Sequence, residues 1–219
     1  MERIRCSLLV ALCFALSSCA SAPATNSRFV CEPEELYGCY SEVLEQVLPM
    51  ELYRFSDIVF RRYVTYARPQ NPTEFVASLS LVYRNEQRVI EASYRRLLDE
   101  NLYMQLASGA PAEVGDDKVA TTVNWSEGVL TSGDCPAIVD AWEKARNLKL
   151  NDLSDIPQFD VSGLRDEEEI AIRLHARIYE VAFAVGDQTI TVVQEGGSTA
   201  LSDWVEETIT ALESCNAEK

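Results

Sequence analysis

Residues 1–18 constrain this chain more than any later segment, because they have the pattern of an export signal. Arg3 and Arg5 give the segment a positive start, an apolar run extends from Cys6 to Leu16, and small residues follow. A membrane-spanning helix needs roughly 20 apolar residues, and this run is far shorter. We therefore expect the signal to be removed and the remaining chain to fold in an oxidising, exported compartment.

The apolar run ends in Leu16-Ser17-Ser18-Cys19. This segment resembles the lipobox of bacterial lipoproteins, in which the cysteine thiol receives a diacylglyceryl group and becomes the new N-terminus. The resemblance covers only the signal region, and it implies lipidation of Cys19. It also implies an outer-membrane lipoprotein that faces the periplasm, because Ala20 differs from the aspartate that favours inner-membrane retention in that family.

Ordinary signal cleavage after Ala22 is the alternative processing route. Ala20-Ser21-Ala22 fits the A-x-A pattern for signal removal. Pro23 would then follow the cut, where proline is poorly tolerated. The lipidated form is therefore the preferred expectation.

The segment behind Cys19 predicts a linker between anchor and domain. Residues 20–26 are small, polar and contain a proline, a composition typical of a flexible tether. Two or more acyl chains on Cys19 would anchor the protein stably, whereas a single chain binds a membrane only reversibly. We expect a lipidated tether over residues 19–30 and a single folded domain over 31–219.

The seven cysteines fall into two groups once the signal is set aside. Three belong to the signal and the lipidation position, and four remain for the folded part: Cys31, Cys39, Cys135 and Cys215. Four exported cysteines predict two disulfides, for which three connectivities exist. We favour Cys31 with Cys39 and Cys135 with Cys215. A metal site is the weaker alternative, because the chain has one histidine and these cysteines lack C-x-x-C spacing.

The acidity of the chain limits its partners. The formal net charge is −16 at pH 7, from 35 acidic and 19 basic residues. Binding to nucleic acid and electrostatic docking on anionic lipid both depend on clustered Lys and Arg, so neither is expected. A basic protein partner or a divalent cation remains compatible with this charge.

Hydrophobic periodicity predicts an α+β domain with an antiparallel sheet packed against about three helices. The helices are expected over 34–48, from Asp134 as N-cap with Pro136 in the first turn, and from Ser198 or Ser202 onward. Strands are predicted at 57–67, 75–83, 119–125, 171–185 and 189–195, with a turn at 186–187, whereas 88–98 fits either a strand or a helix. Residues 108–118 and 147–169 are predicted to be loops.

Candidate chemistry centres on His175, the only histidine. A hydrolase would use His175 as a general base for a nucleophile such as Ser198, but no sequence feature places a hydroxyl beside it. Consecutive acids at 166–169 do not point at one centre, so a calcium site is not favoured. Trp142 and Trp204 lie on apolar helical stripes and are predicted core residues, whereas Trp125 is unassigned.

No catalytic residue, metal site or cofactor is therefore predicted. The preferred hypothesis is a noncatalytic envelope lipoprotein that binds or supports an envelope protein through its sheet or an exposed edge. The alternatives are a periplasmic hydrolase that uses His175 and a carrier that holds a small ligand in an apolar pocket between sheet and helices.

Overall fold

A computed structural model describes residues 24–50, 57–64, 73–111, 118–148, 177–185 and 188–217. Its elements, in chain order, are β1 (Ala24–Cys31), a 3-10 turn (Pro33–Glu35), α1 (Leu36–Val47), β2 (Ile58–Val64), β3 (Phe75–Arg84), β4 (Gln87–Leu97), α2 (Leu102–Ala107), β5 (Ala110–Pro111), β6 (Val119–Thr131), α3 (Ala137–Asn147), β7 (Arg177–Val185), β8 (Gln188–Glu195) and α4 (Ala200–Ala217). Within these ranges, no helix is long and apolar enough to cross a membrane.

All eight strands form one antiparallel sheet, in the order β1-β6-β4-β3-β2-β7-β8, and β5 pairs with β6. Successive side chains along a strand point to opposite faces of such a sheet, and directly paired residues of neighbouring strands point to the same face. Phe60 and Ala77 are cross-strand partners on one face, whereas the next pair, Arg61 and Val76, points to the other. The central strands therefore need a covering layer on both faces.

Two helices cover each face. The α3–α4 layer packs on a core that includes Phe60, Phe75, Trp142 and Trp204, and the α1–α2 layer packs on a core that includes Tyr40. The predicted antiparallel sheet is confirmed, but the described residues already contain four α-helices, where about three were predicted.

The missed helix, α2, has a local start signal. The side chain of Asn101 accepts a hydrogen bond from the backbone N–H of Met104 at 3.0 Å, which is a normal N-cap contact. The helix has six residues, so hydrophobic periodicity cannot identify it.

The predicted tether over 19–30 is wrong for its second half. Residues 24–30 belong to β1, whose eight residues pair with β6 from Ala24 opposite Ser126 to Cys31 opposite Val119. Small and polar residues are tolerated there because β1 is an edge strand of the sheet and most of its side chains are exposed or half-buried. The folded part therefore includes residues 24–30.

Several element boundaries also needed correction. Both a strand and a helix were predicted for residues 88–98, and the strand is confirmed, since this segment forms most of β4. The sixth strand continues to Thr131, because Gly128 leaves room for the Tyr94 ring: a Cβ at Gly128 would lie 2.6 Å from the Tyr94 hydroxyl. The third helix begins at Ala137 with Pro136 in the N-cap position, so Asp134 is not its N-cap.

A candidate binding groove between two helices

α3 and α4 run side by side in opposite directions and are joined at two points. The Cys135–Cys215 disulfide links the start of α3 to the last turn of α4. Further along, the indole N–H of Trp204 donates a hydrogen bond to the carbonyl of Ala141 at 2.8 Å. Trp204 is 3% exposed and also contacts Phe60 edge to face, with 5.1 Å between ring centroids. These contacts fix the distance between the helices and leave a groove above them.

The groove contains two adjoining cavities that share Asp140, Lys144, Trp204 and Glu207. The larger has a volume of about 490 Å³ and lies toward the end of α3 and the start of α4, with lining residues that include Leu148 and Ala200. The smaller has a volume of about 160 Å³ and lies toward the disulfide. The combined shape is an open trough along the helix pair.

Acidic side chains line this trough. Asp140 and Glu143 come from α3, and Asp203 and Glu207 come from α4. Their single basic neighbour in the lining, Lys144, forms an ion pair with Glu207 at 2.5 Å. A hydrogen bond to Glu207 raises the pKa of Lys144 above its usual value. The lining therefore has four carboxylates and one ammonium group.

This arrangement has the chemistry of a cation-binding surface with an apolar base. Carboxylates on both walls can accept hydrogen bonds from ammonium or guanidinium groups. Trp204, Leu148 and Ala200 provide apolar lining against which the methylene stem of a Lys or Arg side chain can pack. Among the described residues, no group of three or more His, Cys, Asp or Glu side chains has an arrangement that would hold a metal ion.

The structure joins the four predicted disulfide cysteines as expected, Cys31 to Cys39 and Cys135 to Cys215. Trp142 and Trp204 are core residues, as predicted, and Trp125 is buried in the α1–α2 layer. Cys19, His175 and residues 166–169 lie outside the described residues. The hydroxyl of Ser198 donates hydrogen bonds to the carboxylate of Asp203 at 3.0 and 3.2 Å.

A buried carboxyl group in the other layer was not foreseen. Glu74 is fully buried, and its carboxylate accepts hydrogen bonds from the hydroxyl of Tyr40 at 3.4 Å and from the backbone N–H of Leu102 at 3.0 Å. Burial raises the pKa of Glu74 to about 7, although these hydrogen bonds and nearby Arg62 oppose the shift. Glu74 links β3 to α1 and to the first residue of α2, which is a structural role.

The groove residues were not among the sequence-based candidates. Asp140, Glu143 and Lys144 recur at helical spacing on the polar side of α3, and Asp203 and Glu207 do so on α4. Each set alone is typical of a solvated helix face. The predicted Cys135–Cys215 bridge was the available signal that the two polar faces are neighbours.

Comparisons of this chain with protein-family models, with curated proteins and with solved structures found no match.

Proposed function

We propose that this protein is a lipoprotein of the bacterial outer membrane, facing the periplasm, whose domain is a noncatalytic binding module. In this proposal, the module holds a cationic segment of an envelope protein in the α3–α4 groove. The observation that carries the proposal is the acidic lining of an open groove between two helices that a disulfide holds together.

Charge supports a cationic protein segment as the occupant. Four carboxylates face the groove against one lysine, and complementary charge across an interface speeds association and excludes wrong partners. The whole chain is also acidic, with a net charge of −16, so a positive partner is attracted before contact.

The shape of the groove favours an extended peptide segment, and not a compact ion, as the occupant. The two cavities follow one another along the helices and share four residues, so successive side chains of an extended peptide can occupy both. The apolar part of the lining offers contact to the stems of those side chains. An acidic helix surface without a groove would give charge attraction but no such positions.

One of the groove carboxylates, Glu207, already forms an ion pair with Lys144, so a bound cation has to compete with Lys144 for it. Both side chains are well exposed, at 60% and 59%, and exposed pairs of this kind contribute little stability. A bound cation can therefore replace Lys144 beside Glu207. Loss of the Lys144 charge should make the groove a better site for a positive peptide.

The lipobox resemblance supports the location of this module. Lipidation at Cys19 would hold the domain at the membrane surface, where envelope proteins are at high local concentration. A weak groove interaction is then sufficient, because tethering raises the effective concentration of the partner.

The groove is tested with a fluorescently labelled peptide of alternating arginine and alanine, by fluorescence anisotropy. The double variant Glu143→Gln/Asp203→Asn should weaken binding roughly tenfold, because two charge-assisted contacts are lost. Lys144→Ala should strengthen binding, since the competing ammonium group is removed.

The matched control is Glu35→Gln/Glu42→Gln, which removes the same charge from exposed positions at and within α1, on the other face of the sheet. Binding to this control should stay within about twofold of the wild type. Equal weakening by both double variants would show that net charge alone attracts the peptide and would overturn the groove as the site.

A further inference from the structure

The two cavities of the α3–α4 groove differ in chemistry once the four residues that they share are set aside. Of the described residues, five others line the larger cavity, and two of them are carboxylates: Glu143, Asn147, Leu148, Ala200 and Asp203. Four others line the smaller cavity, and all four have small uncharged side chains: Ala137, Ala141, Thr208 and Ala211. The groove therefore has an acidic part and a part with small side chains.

The larger cavity is suited to a long basic side chain. Its own two carboxylates, Glu143 on α3 and Asp203 on α4, form no ion pair within the described ranges. Glu207, by contrast, is already paired with Lys144. Because the two unpaired carboxylates belong to opposite helices, a basic side chain that enters between them is attracted from both sides. The volume of about 490 Å³ also leaves room for the methylene stem of that side chain.

The smaller cavity is suited to a small apolar side chain. The indole N–H of Trp204 donates to the carbonyl of Ala141 at 2.8 Å, and the hydroxyl of Thr208 donates to the carbonyl of Trp204 at 2.7 Å. These buried side chains therefore use their polar hydrogens within the protein and present ring and methyl surface to a ligand. The volume of about 160 Å³ favours a small group.

The interval between the two cavities is close to that of same-facing side chains in an extended peptide. On α4, residues 200, 203, 204 and 207 line the larger cavity, and residues 204, 207, 208 and 211 line the smaller one. This shift of four residues along a helix is about 6 Å. Side chains two positions apart in an extended peptide point to the same side, about 6.6 Å from each other. Side chains at positions i and i+2 of one extended segment can therefore enter the two cavities together.

We propose that the groove selects an extended segment in which a lysine or arginine and a small apolar residue, such as alanine, lie two positions apart. The basic side chain occupies the larger cavity between Glu143 and Asp203, and the small side chain occupies the smaller cavity against Ala137 and Ala211. This inference rests on the proposed function, which supplies the cationic peptide, and adds a residue pattern to it. A strictly alternating Arg-Ala peptide tests charge and not this pattern, because it presents identical residues at positions i and i+2.

Two labelled peptides of the same composition test the pattern by fluorescence anisotropy against residues 19–219, with both disulfides formed. Repeats of Arg-Ser-Ala-Ser place arginine and alanine two positions apart, whichever way the peptide runs. Repeats of Arg-Ala-Ser-Ser have the same charge and length, but their arginines and alanines never share a side of the extended chain. The first peptide should bind about fourfold more tightly, because one more methyl group is buried.

A variant that fills the smaller cavity should remove this preference. Ala211→Leu places a larger side chain in that cavity. It should still bind the Arg-Ala-Ser-Ser peptide as the wild type does, since that peptide uses the larger cavity, and this retained binding shows that the variant is folded. Ala217→Leu is the matched control, because Ala217 is exposed at the end of α4 and outside the lining of both cavities. The preference should remain in this control.

The outcomes separate the residue pattern from the groove itself. Equal binding of the two peptides by the wild type would overturn the pattern and leave the groove as a site for positive charge. Tighter binding of Arg-Ala-Ser-Ser would also overturn it, because alanine and the next arginine then lie three positions apart, as on one face of a helix. A preference that persists in Ala211→Leu would show that alanine does not occupy the smaller cavity. Binding of neither peptide would overturn the proposed function together with the pattern.

Discussion

The two helical layers of this protein stabilise the same sheet in different ways. The core under α3 and α4 contains an aromatic row, in which Phe60 contacts both Phe75 and Trp204. The core under α1 and α2 contains ionisable groups, including the buried side chains of Arg61 and Glu74. Among the described residues, the first layer has one buried guanidinium, that of Arg62, which pairs with Glu206 of α4 at 2.5 Å, and otherwise depends mainly on apolar contact. The second layer has more buried ionisable groups, each of which requires a partner.

Each layer also has its own disulfide, and the two close loops of different length. Cys135 and Cys215 are separated by 80 residues and join two helices, whereas Cys31 and Cys39 are separated by 8 and join a strand to the neighbouring helix. The α3–α4 layer is therefore closed by a long-range disulfide, and the α1–α2 layer by a local disulfide and polar contacts. That difference makes separate predictions for the two layers.

The largest difference is expected when the disulfides are removed one at a time. Cys135→Ser/Cys215→Ser should lower the free energy of unfolding by about 4.5 kcal/mol, and Cys31→Ser/Cys39→Ser by roughly 2.6 kcal/mol, because a longer closed loop restricts the unfolded chain more. Urea unfolding of both variants measures the two losses. Equal losses, or a larger loss for the short loop, would break the proposed ranking of the layers.

The next largest effect is expected for Arg61 in the α1–α2 layer. Its guanidinium contacts Glu45 and Glu180 at 2.7 Å each and donates to the carbonyl of Leu48 at 3.2 Å. Arg61→Met should lower the free energy of unfolding by about 4 kcal/mol, since it leaves the buried carbonyl of Leu48 and the carboxylate of Glu180, whose side chain is 20% exposed, without a donor. Glu45, whose side chain is 57% exposed, is solvated by water instead. Arg96→Met is the control, because Arg96 and Glu213 are 37% and 40% exposed, and should cost about 0.5 kcal/mol. A loss below that of the control would show that the buried network contributes no stability.

A smaller and pH-dependent effect is expected for Glu74. Its pKa is about 7 in the folded protein and 4.5 as an ordinary carboxyl group, so the folded state binds the proton more tightly. The contribution of Glu74 to stability is therefore full below pH 4.5 and is lost as the pH rises to about 7. The stability of the wild type relative to Glu74→Gln should fall by about 3 kcal/mol between pH 5 and pH 8. Parallel pH profiles for the two proteins would show that the carboxyl group does not titrate in this range.

The smallest effect is expected for the close packing of the sheet under the α3–α4 layer. Gly128→Ala places a methyl group 2.6 Å from the Tyr94 hydroxyl and should cost about 2 kcal/mol through forced movement of the ring. The double variant Gly128→Ala/Tyr94→Phe removes that hydroxyl and should recover part of the loss. Full stability of Gly128→Ala in thermal unfolding would show that this core is not tightly packed.

The elements that could be predicted from sequence are those with strong local patterns. The helix stripe of α1 and the alternation of β3 needed only residue spacing. An even number of cysteines predicted two disulfides but left three connectivities open, of which the favoured one is confirmed. Two β1 residues, Ala24 and Asn26, were predicted as tether because an edge strand accepts polar side chains and has no hydrophobic pattern of its own. Its pairing with β6 is a long-range contact that local composition does not encode.

The groove could not be predicted from sequence for a related reason. Asp140 and Glu207 lie on different helices, far apart in the chain, and each occupies an ordinary solvated face. Their proximity follows from the packing of Trp204 against Ala141. Glu74 was missed because its neighbours Phe75 and Val76 belong to a strand pattern, and nothing local indicates that a carboxyl group is buried beside them.

The central claim, a lipid-anchored binding module of the envelope, is tested most directly by the intact mass of the protein extracted from bacterial membranes. We predict a mature chain that begins at Cys19 and has added acyl mass, and the loss of that acylated species in Cys19→Ala. An unacylated chain that begins at Pro23 would contradict the anchor, because Cys19 would then be absent from the mature protein.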